Sequence, residues 1–388
     1  MVDFDLKRTL DECVDFTRRL IMTPSMPAQE HDIGRLVMDE MTKLQYDDVW
    51  IDEIGNVSGR IRGTDPHLGA IVFNSHLDHV DPGDLSQWQF PPFSAKVHEG
   101  RVFGRGACDI KGPLAVQVYG AAAVLLSGVR PKRDIVVSAV VQEETGGAGA
   151  VHWVKNLDYP VDLMVLGEPS SNHISLGHRG IWLIWASFEG RSVHASVPER
   201  GINPNYAMAR FLDRLSVRQF ELGSHPLLGD TSVAPTIVKV DTQSSNVIPA
   251  QTRVLLDFRT ATESVRSLEA FVEDVGGDLE PQIESPWLGL PESDVDLDET
   301  ISGFYTPPEN EFVRRAQDAI GRGMGWMPEL TNYRFATDGR HVAAHTDSIA
   351  IVGYSPGEEN LAHTVKESIS IDMMLDSLKG HIQLIREV

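Results

Sequence analysis

The sequence predicts an α/β protein in which a largely parallel sheet, covered by helices on both faces, is interrupted by a smaller α+β insertion. Three observations carry that reading. From Leu6 to Leu166, helical patterns alternate with short apolar runs bounded by turn residues, as in parallel sheets buried on both sides. At 388 residues the chain is longer than one hydrophobic core usually spans, which favours two domains. The middle of the chain then changes to an aromatic-rich strand–helix–strand–helix pattern of roughly 110 residues, within the usual size of a domain.

Apolar residues recur at helical spacing from Leu6 to Leu20 and from Ile33 to Leu44, so two helices open the chain. The runs Val49–Ile51, Ala70–Phe73, Ile135–Val141 and Leu163–Leu166 read as buried strands. Between the second and third of these, Pro113 to Leu126 is rich in Ala, Val and Leu. It is entered through Lys111-Gly112-Pro113 and stopped by Gly128, the start and stop signals of a helix. The insertion begins at about Gly177. It holds a strand at Ile181–Phe188, a helix from Asn203-Pro204 to about Leu215, a strand at Val254–Phe258 and an amphipathic helix at Thr262–Val275. Pro281–Asp298, rich in Pro, Asp and Glu, reads as the return linker, after which a helix at Asn310–Gly321 and a strand at Ile349–Gly353 rejoin the first domain.

Composition narrows the function. With 41% apolar and 23% charged residues, the chain reads as an ordinary soluble globular protein. Lys and Arg number 34 against 56 Asp and Glu, a net charge of −22. Such a field repels nucleic acid and anionic membranes, so neither is expected as a partner. Cys13 and Cys108 form no CxxC pair, which fits a reducing compartment rather than a disulfide framework or thiolate zinc site. No export signal and no run approaching 18 apolar residues is seen. A cytoplasmic location is therefore expected.

The residues able to do chemistry gather at strand ends. His76 and Asp78 follow the apolar run Ala70–Ser75 and are two apart, so the imidazole and the carboxylate point the same way. Asp109 sits in GRGACDIKG, where it could cap the following helix, pair with Lys111 or Arg105, or bind a metal. Glu143 and Glu144 end the strand Asp134–Gln142. Adjacent carboxylates are costly unless they share a cation or a proton, although a solvated surface pair is also possible. Glu168 ends another apolar strand, and His363 follows the Ser355-Pro356-Gly357 turn. Singly each could be a solvated or satisfied polar residue. Together, two histidines and several carboxylates at the carboxyl ends of one sheet make a two-metal site plausible, with mixed N and O ligands that suit Zn²⁺, and Mn²⁺ or Co²⁺ as competitors.

The segments HLD (76–78), GRGACDIKG (104–112), EETGG (143–147), GEPS (167–170) and AH (362–363), in this order and spacing, resemble the co-catalytic zinc aminoacylase and carboxypeptidase family. That family includes acetylornithine deacetylase, succinyl-diaminopimelate desuccinylase and glutamate-releasing carboxypeptidases. The resemblance implies a zinc-peptidase-like catalytic domain over 1–177 and 299–388, and a ferredoxin-like lid and dimerisation domain over 178–298. One metal would sit on His76, Asp109 and Glu168, and a second on Asp109, Glu144 and His363, with Asp109 bridging. Asp78 would orient His76. Glu143 becomes the general base, taking a proton from a metal-bridging water and delivering it to the leaving nitrogen.

In the inserted domain, the segment Gly190–Ser196 matches the motif whose histidine, here His194, reaches a neighbouring subunit's site and stabilises the oxyanion. Asn246 and Arg259 match positions that bind a substrate carboxylate, which a guanidinium fork suits. The resemblance thus implies a homodimeric metallohydrolase acting on the amide C–N bond of a small N-acyl amino acid, dipeptide or related carboxylate. The same machinery could act on a ureido, carbamoyl or arylamine C–N bond, and a silent dimeric binding protein is the reading from another class. One departure stands out: the last motif usually begins Gly-Pro-Gly, and here it begins with Ser355 and is followed by Glu358-Glu359. Cys108, beside Asp109, reads as a small buried residue.

Overall fold

A computed structural model describes residues 5–261, 263–284 and 303–388. It divides into two compact units, one formed by Met1–Gly177, Tyr305–Tyr333 and Thr337–Val388, the other by His178–Phe304 with Arg334–Ala336.

The first unit is built on a mixed sheet whose order runs Asp48–Ile51, Val57–Ile61, Ile135–Val140, Ala70–His76, Val161–Leu166, Ala350–Gly353, Ile174–His178. The four strands from Ile135–Val140 to Ala350–Gly353 run parallel, and the flanking pairs are antiparallel. Every residue of Ala70–His76 and of Ile135–Val140 is buried, so these strands carry continuous apolar runs rather than an alternation. The helix Gly112–Leu126 begins at Pro113 as expected and buries residues all around its circumference; such a helix belongs inside a protein. It packs against the first helix, Leu6–Ile21, and the last, Ile371–Glu387. Leu6–Ile21 is one-sided. Cys13, Phe16, Thr17, Leu20 and Ile21 are buried, and the Asp5 side chain caps its start by accepting from Arg8 N at 3.0 Å.

Several elements go beyond the sequence expectation. Val57–Ile61 and Ile174–His178 are short strands whose Gly and Ser residues, Ser58 and Gly59, Ser175 and Gly177, dilute the apolar run. The apolar stripe of Ile371–Glu387 is interrupted by Ser377, Lys379 and Gly380, yet Ser370 caps it and Met374, Leu378, Ile382 and Ile385 are buried. Ala148–Lys155 and Gly339–His345 are helices of eight and seven residues, short enough that tertiary packing rather than propensity holds them.

The second unit has a four-stranded antiparallel sheet in the order Ser232–Val240, Gln251–Thr260, Gly180–Glu189, Gln282–Glu284. Gln251–Thr260 alternates strictly between buried and half-buried residues, and its Phe258, Leu256, Val254 and Thr252 pair in register with Trp182, Ile184, Ala186 and Phe188. Their buried side chains meet Phe211 and Leu215 of the helix Pro204–Arg218 and Leu268, Val272 and Val275 of the helix Val265–Gly276. Asn203 caps the first of these by accepting from Asn205 N at 3.1 Å, and Ser264 caps the second. The edge strand Ser232–Val240 was not expected, because most of its residues are exposed on both faces and its sequence shows no alternation. The expected linker Pro281–Asp298 lies mostly outside the described residues, and its first part, Gln282–Glu284, is a strand.

Phe258, fully buried and 5.7 Å from Trp182 between ring centroids, offers a direct check of this core. Phe258→Ala is expected to cost about 3–5 kcal/mol, read as a lowered denaturation midpoint. A cost of no more than about 0.5 kcal/mol, as at a surface position, would contradict the packing described.

Candidate metal centre

The four adjacent parallel strands deliver their chemistry at one edge. His76 is the last residue of Ala70–His76, Glu143 and Glu144 follow Ile135–Val140, Glu168 follows Val161–Leu166, and His363 lies beyond Ala350–Gly353. Ligands in open α/β sheets bind outside these carboxyl ends. Asp109 comes from the turn ahead of the helix Gly112–Leu126, and its peptide bond to Ile110 is cis.

These residues converge. His76 Nε2 lies 3.2 Å from Asp109 Oδ1 and 3.9 Å from Glu168 Oε1. His363 Nε2 lies 3.1 Å from Asp109 Oδ2 and 3.1 Å from Glu144 Oε1. The two oxygens of one carboxylate therefore face two different imidazoles. Glu143 belongs to the same cluster: single donor atoms of His76, Glu143 and Glu168 all lie within 4.8 Å of one another, as do those of His76, Asp109 and Glu144.

Around them the backbone is held by further carboxylates. Asp78 accepts from Glu143 N at 3.2 Å and Glu144 N at 3.1 Å, and Glu30 accepts from Gln142 N at 3.0 Å. Asp78 also faces His76, whose Nδ1 lies 3.0 Å from the Asp78 carbonyl and 3.4 Å from its carboxylate. A ring that donates from Nδ1 to that carbonyl presents the lone pair of Nε2 to the cluster. Lys111 and Arg105 turn elsewhere: Lys111 Nζ donates to Thr23 O at 2.9 Å and Arg105 Nη1 to Glu367 Oε2 at 2.6 Å. Cys108 is a buried free thiol. Burial, with the charges of Glu367 and Asp109 beside it, pushes that thiol well above its ordinary value, which disfavours a thiolate nucleophile.

The electrostatics of the cluster favour a cation. Burial, then the Glu168 charge, pushes the Glu143 carboxyl well above the usual range. Burial and Asp109 do the same to Glu168 against the opposing pull of His76. His363 is raised to about 10 by its contacts with Asp109 and Glu144. Burial alone would lower the His76 pKa, but Asp109 and Asp78 overcome it and hold the ring well above its ordinary value. Without positive charge the protein would have to keep protons on groups that prefer to lose them. Donor atoms about 2.0–2.2 Å from a tetrahedral ion sit roughly 3.3–3.5 Å from one another, and the separations here run from 3.1 to 3.9 Å. The donor set fits divalent ions.

Asp338 is a further acidic residue that its sequence context, TDGRH, did not single out. It is 3% exposed, and neither carboxylate oxygen has a hydrogen-bond partner among the described residues. Burial raises it to about 7, with Asp78 and Glu144 adding to the shift. The departure at Ser355 is structural: its buried hydroxyl donates to Glu168 O at 2.7 Å, which Tyr333 also engages at 3.2 Å. Glu358, which follows the Ser355-Pro356-Gly357 turn, is paired with Arg101.

The remaining candidates lie in the second unit. His194 and Asn246 are exposed neighbours, because Val193–His194 pairs with Val247–Ile248 and Ala195 N donates to Asn246 O at 2.8 Å. The His194 Nδ1 accepts from Ser196 N at 3.1 Å, so in the neutral ring the proton sits on Nε2. Arg259 is partly exposed, and its guanidinium holds Asp257 through contacts of 2.9 and 3.2 Å.

The chain is similar to known proteins along most of its length. The model of peptidase family M20/M25/M40 matches residues 72–387. Succinyl-diaminopimelate desuccinylase 1 of Ruegeria sp. is 30% identical over 385 residues, covering 94% of this chain and 95% of that protein. Aminopeptidase PepT of Bacillus cereus superposes with a TM-score of 0.77 at 18% identity, covering 99% of this chain and 98% of that one. The Bacillus subtilis YXEP protein, described as a dinuclear metal binding peptidase, superposes with a TM-score of 0.72 at 16% identity, covering 99% and 98%. With more than three quarters of its length matched and a donor set of this kind, the chain belongs to peptidase family M20/M25/M40 and is a metallohydrolase.

Proposed function

We propose that the protein cleaves the amide C–N bond of a small N-acyl amino acid, dipeptide or related carboxylate, with Glu143 as general base. The observation that carries this reading is the Asp109 carboxylate facing His76 with one oxygen and His363 with the other, with Glu143 beside the same cluster. In this reading His76, Asp109 and Glu168 hold one divalent ion, and Asp109, Glu144 and His363 hold the other. Zn²⁺ suits these ligands best, with Mn²⁺ and Co²⁺ as alternatives. Such a pair of ions lowers the pKa of an attacking water and polarises the scissile carbonyl.

The chain's own groups do the rest. Glu143 removes the proton of the attacking water and later delivers it to the leaving nitrogen. A base poised this way needs a pKa near the working pH, which its buried, acid-rich surroundings favour. Asp78, through the amides of Glu143 and Glu144 and the ring of His76, fixes the base and two ligands relative to one another. His194 donates from Nε2 to the oxyanion of a partner subunit's site, and Asn246 and Arg259 bind the substrate carboxylate. Asp257 holds the guanidinium of Arg259 in place for this. Dimerisation through the second unit is supported by the edge strand Ser232–Val240, where Ile237, Val238 and Val240 are 43%, 53% and 45% exposed. An apolar edge of this kind, with no partner strand on its outer side among the described residues, is a template for a second strand. Among the described residues no helix is long and apolar enough to cross a membrane.

A screen of N-acyl amino acids, dipeptides and ureido compounds identifies the substrate, and two variant sets test the roles. Glu143→Gln is expected to retain its metals while losing about 10²- to 10⁴-fold in turnover, whereas Asp109→Ala loses metal by elemental analysis. Normal turnover by Glu143→Gln would remove Glu143 as the base. Arg259→Ala is expected to weaken binding of carboxylate substrates by about 1.5–3 kcal/mol, visible as a raised KM, with a smaller effect on uncharged analogues. Equal losses on both would reject the carboxylate clamp.

A further inference from the structure

Glu367 lies four residues beyond His363, outside every motif that marks the metal centre. It is 1% exposed. Its Oε1 accepts from Cys108 N at 3.2 Å and Asp109 N at 3.3 Å, and its Oε2 accepts from Arg105 Nη1 at 2.6 Å. Its own carbonyl accepts from Gly104 N at 3.1 Å. Arg105 is also buried, with its guanidinium 5.1 Å from the centroid of the Trp88 ring.

Within the turn that carries Asp109, Ala107 N donates to Gly104 O at 3.2 Å and Lys111 N to Gly106 O at 2.8 Å. Asp109 and Ile110 have non-helical backbone angles in a segment that otherwise winds into the helix Gly112–Leu126. Gly104 and Gly106, with φ of +158° and +78°, bring the chain into that turn. A carboxylate that accepts two successive amides fixes the plane of the peptide between them, and here that plane sets where the Asp109 side chain leaves the backbone. The gripping group comes from the segment that also carries His363. Glu367 therefore ties together two of the loops that must agree in position for Asp109 Oδ2 to lie 3.1 Å from His363 Nε2.

We propose that Glu367 is a positioning residue of the metal centre: by holding the amides of Cys108 and Asp109 it aims the Asp109 carboxylate so that each oxygen meets a different ion. Arg105 holds the other oxygen of the Glu367 carboxylate, which leaves Oε1 for the two amides. This rests on the two-ion reading above. It differs from a purely structural ion pair in one respect: metal affinity should follow the acceptor on the two amides, not the stability of the fold.

Titration of the metal-free full-length protein with Co²⁺, followed by its visible absorption and paired with a thermal melt, separates the two roles. Wild-type protein is expected to bind two ions. Glu367→Ala is expected to bind them about 10- to 100-fold more weakly, with an altered visible spectrum. Arg105→Lys keeps a cation opposite Oε2 and leaves Oε1 on the amides, so it should melt earlier yet retain the wild-type affinity and spectrum. If Glu367→Ala does not fold, Glu367→Gln is the reading. The charged guanidinium of Arg105 draws the single carbonyl oxygen of Glu367→Gln to itself and leaves an NH₂ facing the amides of Cys108 and Asp109, so weaker binding and a changed spectrum are expected again. A folded Glu367 variant with wild-type Co²⁺ affinity and spectrum overturns the proposal. A wild-type protein that does not bind two ions overturns instead the reading on which it rests.

Discussion

Buried carboxylates repel one another in a medium that screens poorly, and the carboxyl edge of the central sheet is organised around the relief of that repulsion. Asp78, Asp109, Glu143, Glu144, Glu168 and Asp338 act on the same small region through their charges. His76 and His363 supply the neutralising groups that the chain itself provides, with Arg340 also in the field of Glu143 and Asp338. Their protons are a substitute for metal charge: each imidazole presents Nε2 to acceptor-only oxygens, an arrangement that only a proton or a cation can occupy. Divalent ions carrying that charge would let the carboxyls ionise and, in the proposed reading, would leave Glu143 free to act as a base.

The parallel strands make this crowding possible. Because Ile135–Val140, Ala70–His76, Val161–Leu166 and Ala350–Gly353 are neighbours running the same way, residues at the ends of different strands arrive together although those strands are separated along the chain. The cost of gathering charges there is met by backbone amides as well as by imidazoles. Asp78 takes the amides of Glu143 and Glu144, Glu30 that of Gln142, and Glu367 those of Cys108 and Asp109. Acidic residues outside the proposed ligand set thus hold in place the turns that carry its members.

Much of this was legible in the sequence because strand ends have a local signature. An apolar run followed by HLD, EETGG or GEPS marks both the strand and its chemistry, and the apolar helix Gly112–Leu126 announces itself by Pro113 and Gly128. Elements defined by long-range partners left no such trace. Ser232–Val240 is a strand because Gln251–Thr260 pairs with it, and its exposed faces demand no alternation. Glu367 and Asp338 look like ordinary charges along the chain, and only burial against distant segments sets them apart. Arg105 and Lys111 show the converse. Their closeness to Asp109 in sequence suggested ion pairs with it, whereas folding sends them to Glu367 and Thr23.

In the proposed reading Asp109 would bridge two ions. A crystal structure of the zinc-loaded protein, with anomalous data collected at the zinc edge, tests it most directly. The account predicts two anomalous peaks about 3.5–4 Å apart, with one Asp109 oxygen about 2.0–2.2 Å from each. A single peak, or two peaks with both Asp109 oxygens on the same ion, would contradict it.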